Sequence, residues 1–239
     1  MVRDSRAEFK VYGNVFDNFT NLTLAKLKDK GIFSELVSPI FVGKESNVFS
    51  ASSERGKVIV KIYRLENCNF NQMYDYIKYD ERYTGLRKNR RRIIFAWTQR
   101  EYRNLHIARE AGVRVPTPLA FSNNVLVLEH IGDSAAAPQL KDKYPADPKK
   151  FFDEIISFVK RMYKASLVHG DLSCYNILNL DDKPVFIDFS QATTTENPRA
   201  EEYLVRDVHN ICTFFLKLGV KCDEEKTLAL IRKGVKKKE

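Results

Sequence analysis

The sequence predicts an α+β fold of two lobes, an N-terminal lobe with an antiparallel sheet and helices and a reduced, mostly helical C-terminal lobe. Three observations carry this prediction. Residues 57–63 read KVIVKIY, where alternation and β-branching are typical of a strand, and 125–131 read VLVLEHI, a buried strand. After Gly132, apolar residues recur mainly at helical spacings of three and four. A hydrophobic fraction of 44% in 239 residues is enough for a buried core.

The N-terminal lobe begins with an amphipathic segment. TNLTLAKLKDK predicts a helix over 20–30, with Thr20 or Asn21 as its N-cap and Gly31 at its end. The polar residues 51–56 predict the hairpin turn that precedes the KVIVKIY strand.

The segment 65–92 has no clear periodicity and predicts a long flexible loop, after which 93–110 returns to helical spacing. Further predicted elements are strands at 119–121, 176–180 and 185–188, and helices at 149–167 and 202–218. The elements divide the chain into an N-terminal helical extension (1–38), the sheet lobe (39–131) and the C-terminal lobe (132–239).

Positive charge is in excess, with 40 Lys and Arg against 31 Asp and Glu and a formal net charge of +9. It is concentrated in the run from Arg87 to Arg92 and in a tail over 232–238. We interpret the tail as a frayed terminus. For the internal run two interpretations stay open, a solvated loop or a contact for an anionic partner.

The sequence also indicates a compartment. Its longest apolar stretches fall far short of the roughly 20 residues of a membrane span, and MVRDSRAEFK has no apolar region typical of a secretory signal. We therefore expect a cytoplasmic protein without a membrane partner. The 4 cysteines form no CxxC pair and are expected to be free thiols.

Lys61 is the first residue that indicates chemistry. It lies in the KVIVKIY strand, where an inward lysine requires an anion beside it. Taken alone, it could equally be an edge-strand lysine that faces water. Glu101 shares a helical face with Trp97 and Leu105 and is the natural counter-ion.

The run HGDLSCYN, from His169 to Asn176, is the second motif. A carboxylate, Asp171, followed five residues later by an amide matches the catalytic loop of protein kinases, in which the Asp orients the acceptor and the Asn binds magnesium. Asp188, in the later IDFS, supplies a second hard oxygen ligand for the metal. The motifs together predict binding of ATP with Mg²⁺ or Mn²⁺.

The motifs that carry a family resemblance are HGDLSCYNIL, IDFSQA, GKESNV before VIVKIYR, and WTQREYRNL. The chain resembles the RIO family of atypical serine/threonine protein kinases, most closely its type-one subfamily, over about 22–219. The resemblance implies a bilobal protein-kinase-like fold. It further implies that Lys61 contacts the nucleotide phosphates, Glu101 holds Lys61, Asp171 is the catalytic aspartate, and Asn176 and Asp188 bind the metal.

The resemblance carries several functional expectations. An acyl phosphate on Asp188 implies an ATPase cycle beside γ-phosphoryl transfer to protein serine or threonine, autophosphorylation included. The family role implies maturation of the small ribosomal subunit. The backbone of Glu129 and Ile131 would meet adenine, and Asp207 would tie down the catalytic loop.

The phosphate-covering loop departs from the usual kinase pattern. Ordinary protein kinases use GxGxxG, whereas here Gly43 is followed by Lys44, Glu45, Ser46 and Asn47. Contacts to the nucleotide are therefore expected from Gly43, Lys44, Ser46 and Val48.

Two other kinase features are missing. Gly170 replaces the Arg of the HRD signature, so switching by loop phosphorylation is not expected. No APE motif follows Asp188, so a surface other than the usual peptide platform must choose the substrate.

Two alternatives remain. Aminoglycoside and choline kinases share an HGDxxxxN loop, but they normally add an acidic helical lobe, which the short basic C-terminal region does not resemble. A nucleotide-switched ribosome- or RNA-binding factor is the other, supported by Arg87 to Arg92.

Overall fold

The computed structural model describes residues 16–66 and 68–233. Its N-terminal half is built on a five-stranded antiparallel sheet of order β1-β2-β3-β5-β4. The strands are β1 (Glu35–Val42), β2 (Ser46–Ser53), β3 (Gly56–Tyr63), β4 (Pro118–Ser122) and β5 (Val125–Glu129). The hairpin turn expected over 51–56 is shorter than predicted, because Ala51 to Ser53 still pair with β3.

Helix α1 (Asn18–Asp29) precedes the sheet and buries Leu24 and Leu27 against Phe49 and other residues on one sheet face. Its N-cap is Asp17, whose side chain accepts hydrogen bonds from the N–H groups of Phe19 and Thr20. The prediction of Thr20 or Asn21 as the cap was wrong, since the helix begins a turn earlier. The expected boundary between residues 38 and 39 falls inside β1.

The segment 65–92 is less loop-like than its sequence indicates. It contains helix α2 (Phe70–Ile77) and a short 3-10 helix (Glu81–Tyr83), and helix α3 (Arg90–Glu110) begins inside the basic run. The expectation of one long loop is corrected accordingly. Phe70, Met73 and Ile77 of α2 recur at helical spacing, and the last two are buried, a short period that the loop prediction overlooked.

The C-terminal half is mostly helical, as expected, and has two small two-stranded sheets. Its helices are α4 (Pro148–Lys164), α5 (Ala200–Lys217) and α6 (Glu224–Arg232). Its strands are β6 (Leu167–Val168), β7 (Ile177–Leu180), β8 (Lys183–Phe186) and β9 (Thr193–Thr194). β7 pairs with β8 and β6 with β9.

Helix α6 ends at Arg232, the first residue of the predicted frayed basic tail, so that residue is helical. Its Leu228 and Ile231 are buried, and Arg232 forms an ion pair with Glu201 of α5. The rest of the tail, from residue 234 on, lies outside the described residues.

Cys212 and Cys222 form a disulfide, with Cα atoms 5.6 Å apart. The expectation of four free thiols is wrong for this pair, because the chain turns back at Gly219 and returns along α5. Cys68 and Cys174 are free.

The main hydrophobic core runs across both lobes. It joins Met73, Ile77 and Trp97 of α2 and α3 to Phe186 and Phe215 of the C-terminal half. A second core lies between the opposite sheet face and α1. Within the described ranges, no helix is long and apolar enough to cross a membrane.

Candidate active site

Lys61 lies at the centre of the cleft between the lobes. Its Nζ is 2.8 Å from Glu101 Oε1 and 2.9 Å from Asp188 Oδ1. Lys61 is 6% exposed, and burial alone would lower its pKa, but Asp188 and Glu101 outweigh burial and raise the pKa well above the ordinary value. The predicted inward lysine with a carboxylate partner is what the structure contains, and the water-facing alternative does not apply.

Glu101 is held by more than Lys61. The Tyr63 hydroxyl donates a hydrogen bond to Glu101 Oε2, while Lys61 occupies Oε1. Residues 61 and 63 point to the same face of β3 because side chains alternate along a strand. Both carboxylate oxygens are therefore satisfied in a buried position, as an ionised buried acid requires.

The catalytic loop connects β6 to β7 and carries Asp171 and Asn176. The Asn176 Nδ2 donates to the Asp171 backbone oxygen at 2.7 Å and to Asp171 Oδ2 at 3.1 Å. The Ile187 N–H donates to the backbone oxygen of Asn176 at 3.0 Å, which fixes the loop beside Asp188. Burial, reinforced by the charge of Asp188, raises the pKa of Asp171.

Asp207 of α5 anchors this loop from below. Its carboxylate accepts the N–H groups of Gly170 and Leu172, each at 2.8 Å. Gly170 has φ +77, and a Cβ there would lie 3.1 Å from the Gln191 oxygen. The absence of the HRD arginine thus has a local reason, since only glycine adopts this conformation without strain.

Asp188 follows β8 with φ +60, a left-handed conformation that is strained for aspartate. Its Oδ1 accepts hydrogen bonds from Lys61 and from the Ser190 N–H. Burial opposes ionisation, but Lys61 and Ser190 outweigh it and lower the pKa of Asp188 to about 2. The side chain is 40% exposed, so a ligand can reach it.

The donor set fits a magnesium or manganese ion. The Asn176 Nδ2 donates to Asp171, so the side-chain oxygen of Asn176 is left for a cation. Asp188 Oδ2 makes no hydrogen bond within the described residues. No cluster of three His, Cys, Asp or Glu side chains suited to a metal occurs in 16–66 and 68–233. A site of one carboxylate and one amide matches Mg²⁺, which normally completes its shell with phosphate oxygens and water.

His169 was missed by sequence reasoning, although it heads the HGD motif. Its Nε2 lies 3.1 Å from the Ile187 oxygen, and its ring packs 4.8 Å from that of Phe189. Burial lowers the pKa of His169 to about 4, so the ring is neutral at neutral pH. It joins the catalytic loop to the Asp188 loop without carrying a charge.

The turn between β1 and β2 covers the cleft. The Gly43 N–H donates to the backbone oxygen of Ser46 at 2.9 Å, and Lys44 is exposed. Val48 of β2 is the pairing partner of Lys61 in β3. Glu45 was not predicted as a site residue. Burial and the charge of the nearby Asp188 raise the pKa of Glu45.

The strand β5 ends at the expected adenine-contacting segment. The Glu129 side chain is bound to Arg114 at 2.7 Å and to Thr117, and its N–H donates to the Thr117 oxygen. The Ile131 oxygen accepts from Ala137. Within the described residues, the N–H of Glu129 and the carbonyl of Ile131 are thus already hydrogen-bonded to the protein itself.

Helix α3 also fastens the segment that follows Asp188. Arg100 donates to the Ser190 oxygen at 3.0 Å, and Asn104 to the Ala192 oxygen at 2.7 Å. Arg100 is itself paired with the buried Asp80, which also binds Arg82. These residues gave no sequence signal, because buried ion pairs follow no period.

The structure therefore brings Lys61, Glu101, Asp171, Asn176 and Asp188 together in one cleft. The two lobes and the lysine, acid and amide set around the cleft define a protein-kinase-like enzyme.

Comparison with known proteins identifies the family. The model of the RIO domain matches residues 47–228. The chain is 41% identical over 218 residues to the RIO-type serine/threonine-protein kinase Rio1 of Methanocaldococcus jannaschii and 38% identical over 218 residues to that of Haloferax volcanii, covering 90% of this chain and 75% of each relative. The chain belongs to the RIO family, and the expectation of a serine/threonine kinase of this family is confirmed.

Solved structures confirm the fold class. The Rio2 kinase of Chaetomium thermophilum matches with a TM-score of 0.69 at 23% identity, covering 91% of this chain and 69% of that one. The ADP/Mg²⁺-phosphoaspartate complex of the same kinase matches with a TM-score of 0.67 at 24% identity, covering 91% and 68%.

Proposed function

We propose that this protein transfers the γ-phosphoryl group of ATP to serine or threonine hydroxyls of proteins, with the residue roles expected from its motifs. The contact of Lys61 Nζ with both Glu101 and Asp188 carries the proposal. It puts a fixed positive charge beside the metal-binding carboxylate, at the entrance to the loop that holds Asp171. The family relationship supports ATP and Mg²⁺ or Mn²⁺ as the nucleotide and metal.

Catalysis in this site is mainly positioning and charge neutralisation. The Lys61 ammonium holds phosphate oxygens, and Asn176 and Asp188 hold the metal, which supplies charge neutralisation when bound. Asp171 accepts the proton of the serine or threonine hydroxyl. The oxygen of that hydroxyl bonds to the γ-phosphorus as ADP leaves. The raised pKa of Asp171 suits a general base.

We also propose an ATPase cycle through Asp188. Its free Oδ2 attacks the γ-phosphorus, ADP leaves, and water then hydrolyses the acyl phosphate to inorganic phosphate and the original carboxylate. The strained backbone and exposed oxygen of Asp188 support this step. The Rio2 complex of Chaetomium thermophilum contains ADP, Mg²⁺ and a phosphoaspartate.

One experiment tests both steps. The purified protein is incubated with γ-labelled ATP and Mg²⁺, and half of the sample is treated with hydroxylamine before peptide mass spectrometry. We expect a hydroxamate on the peptide that contains Asp188 and, in a separate fraction, stable phosphate on serine or threonine. Asp171→Asn should lose the stable phosphate but retain ATP binding within about tenfold, roughly 1.4 kcal/mol.

The control for this experiment is Asp153→Asn, which removes an exposed carboxylate on α4. Wild-type transfer in Asp171→Asn would refute its assignment, and hydroxamate on any other acid would refute that of Asp188. Phosphate released only onto added aminoglycoside or choline, with none on protein, would favour the small-molecule alternative.

We further propose action in maturation of the small ribosomal subunit, with RNA contacts through Arg87 to Arg92 and a cytoplasmic location. One observation favours an RNA contact. Arg87 and Arg91 are exposed and make no ion pair within the described part of the chain, and Arg90 to Arg92 fill the first turn of α3, where positive charge is unfavourable.

The RNA contact is tested by changing Arg87, Lys88 and Arg91 to Ala. Binding to small-subunit particles should weaken, and its dependence on salt concentration should become shallower. A variant with the same charge change at Lys160, Lys164 and Lys217 is the control. Equal binding and equal salt slopes in both variants would instead indicate a solvated basic surface.

A further inference from the structure

A cavity of about 350 Å³ lies against helix α3 and is lined by none of the candidate active-site residues. Its wall is mostly apolar and comes from the 3-10 segment, α3 and β4. The apolar lining residues are Tyr83, Leu86, Phe95, Ala96 and Phe121. Its volume is in the range of about 300–1,000 Å³ that is typical of ligand sites.

The rim of this cavity is positively charged. Arg92 lines it directly, Arg103 lies 5.7 Å over the ring of Tyr83, and Arg91 lies 5.3 Å over Phe19, which stacks on Phe95. All three arginines are exposed, and none forms an ion pair among the described residues. No lining residue is acidic.

The N-terminus of helix α3 adds to the positive charge around the cavity. Helix α3 begins after Asn89 with no acid in its first turn and with Arg90, Arg91 and Arg92 there. Positive side chains and the positive end of the helix dipole repel each other, a cost that a bound anion would relieve. The charge pattern is therefore unfavourable for the isolated helix and favourable for an acidic partner.

We propose that this cavity is a docking site for an acidic peptide segment of a partner protein, with one aromatic side chain inserted between Phe95 and Phe121. Acidic residues flanking the aromatic residue contact Arg92 and its neighbours. Tyr83 lines the cavity, and its buried hydroxyl has no hydrogen-bond partner among the described residues. Aromatic anchors in apolar pockets with charged surroundings are a common mode of recognition.

Within the cavity, the ring packing favours a peptide side chain over a stacked RNA base, whereas the RNA contact proposed above involves phosphates alone. Single-stranded RNA needs exposed aromatic faces on which bases stack. Here Phe95 is stacked on Phe19 at 15°, Phe121 packs on Tyr102, and Arg82 and Arg103 lie over Tyr83. Other side chains thus cover part of these rings, which is unfavourable for a run of stacked bases, while the cavity beside Phe95 and Phe121 has room for one side chain.

The test measures binding alone, so it does not depend on phosphoryl transfer. A fluorescein-labelled peptide with one Phe between runs of Glu and Asp is titrated with the full-length protein by fluorescence anisotropy at low salt. Replacing its Phe by Ala should weaken binding at least about tenfold. Arg92→Glu should weaken binding of the Phe peptide by a similar factor.

Arg109→Glu is the matched control, because it makes the same charge change on the same helix about 25 Å away along the axis. Ala96→Leu, which fills the cavity without removing a contact, should also abolish binding while thermal unfolding by circular dichroism shows a folded protein. Equal effects of Arg92→Glu and Arg109→Glu would overturn the proposal. So would equal binding of the Phe and Ala peptides, or binding of a labelled oligouridine that Ala96→Leu abolishes.

Discussion

Lys61 has two carboxylates within hydrogen-bond distance, whereas its sequence position indicates only that it needs one. The second, Asp188, is also the proposed metal ligand, so one ammonium holds together the sheet, α3 and the Asp188 loop. Glu101 is 1% exposed and would leave Lys61 and the Tyr63 hydroxyl short of a partner if it were removed. Removing one member of a buried ion pair is costlier than replacing the pair.

We predict that Glu101→Ala lowers the free energy of unfolding by about 3 kcal/mol, because it leaves buried polar groups unpaired. Urea denaturation at neutral pH measures the change. Glu202→Ala, which removes an exposed partner of Arg199, should leave the urea midpoint unchanged. A Glu101→Ala midpoint equal to that of wild type would show that Lys61 and Tyr63 find other partners.

His169 gives a prediction for pH. Its pKa is about 4 in the folded state against an ordinary value of 6.5, so the unfolded chain binds more protons between these values. The contribution of His169 to stability is therefore complete above pH 6.5 and is lost as the pH falls towards 4, by about 3 kcal/mol.

Burial raises the pKa of Asp207 to about 7, so the titration of Asp207 changes the stability in the opposite direction over the same pH range. The test therefore compares the pH dependence of wild type with that of a His169 variant. Wild type should lose about 3 kcal/mol more than His169→Gln between pH 6.5 and 4, measured by urea denaturation at each pH. Parallel pH profiles would show that His169 titrates normally.

At the scale of elements, α3 is the link between the segment 65–92 and the loop after Asp188. Arg100 and Asn104 bind the backbone of 190–192, and Tyr76 of α2 donates to Gln191 at 2.9 Å. Asp80 lies under this arrangement with two guanidinium partners. The segment is thus held to the active site by polar contacts as well as by the buried Met73 and Ile77 of α2.

We predict that Asp80→Asn loosens this link without unfolding the protein. Amide hydrogen exchange in 68–86 and in 189–194 should quicken by at least about tenfold, because two buried guanidinium groups lose their charge partner. Amides of α4 serve as the internal reference and should keep their rates. Unchanged exchange in 68–86 would show that the ion pairs do not hold the segment.

The disulfide gives a second prediction for this scale. Intact mass after alkylation under denaturing conditions should show 2 modified thiols without reductant, at Cys68 and Cys174, and 4 with it. Cys212→Ser is the control and should expose Cys222 without reductant. Modification of all cysteines without reductant would return the pair to the free thiols expected from the sequence.

For the whole molecule, the main core crosses the lobe boundary through α2 and α3. A core shared in this way couples the lobes, so we predict a single unfolding transition. The only tryptophan, Trp97, is 2% exposed within this core, and its fluorescence reports on the junction. Urea midpoints from Trp97 fluorescence and from far-ultraviolet circular dichroism should coincide, whereas separate midpoints would indicate lobes that unfold independently.

The sequence alone determined the secondary-structure class, the position of most strands and helices, and the residue types of the site. Strand alternation near Lys61 and the motifs around Asp171, Asn176 and Asp188 involve residues that are close together in the sequence. Such patterns can be recognised without the three-dimensional structure. The same reasoning failed for Asp80, Arg100 and the Cys212–Cys222 disulfide, whose partners lie far apart along the chain or across a turn.

Only the tertiary structure decided which groups meet. It gave Lys61 its second carboxylate and turned the expected loop over 65–92 into helices fastened to the Asp188 loop. It also left arginines around a cavity beside α3 without an ion pair to any described residue. The physical reason is that burial and charge pairing depend on distances in three dimensions, whereas periodicity records only which face of one element is apolar.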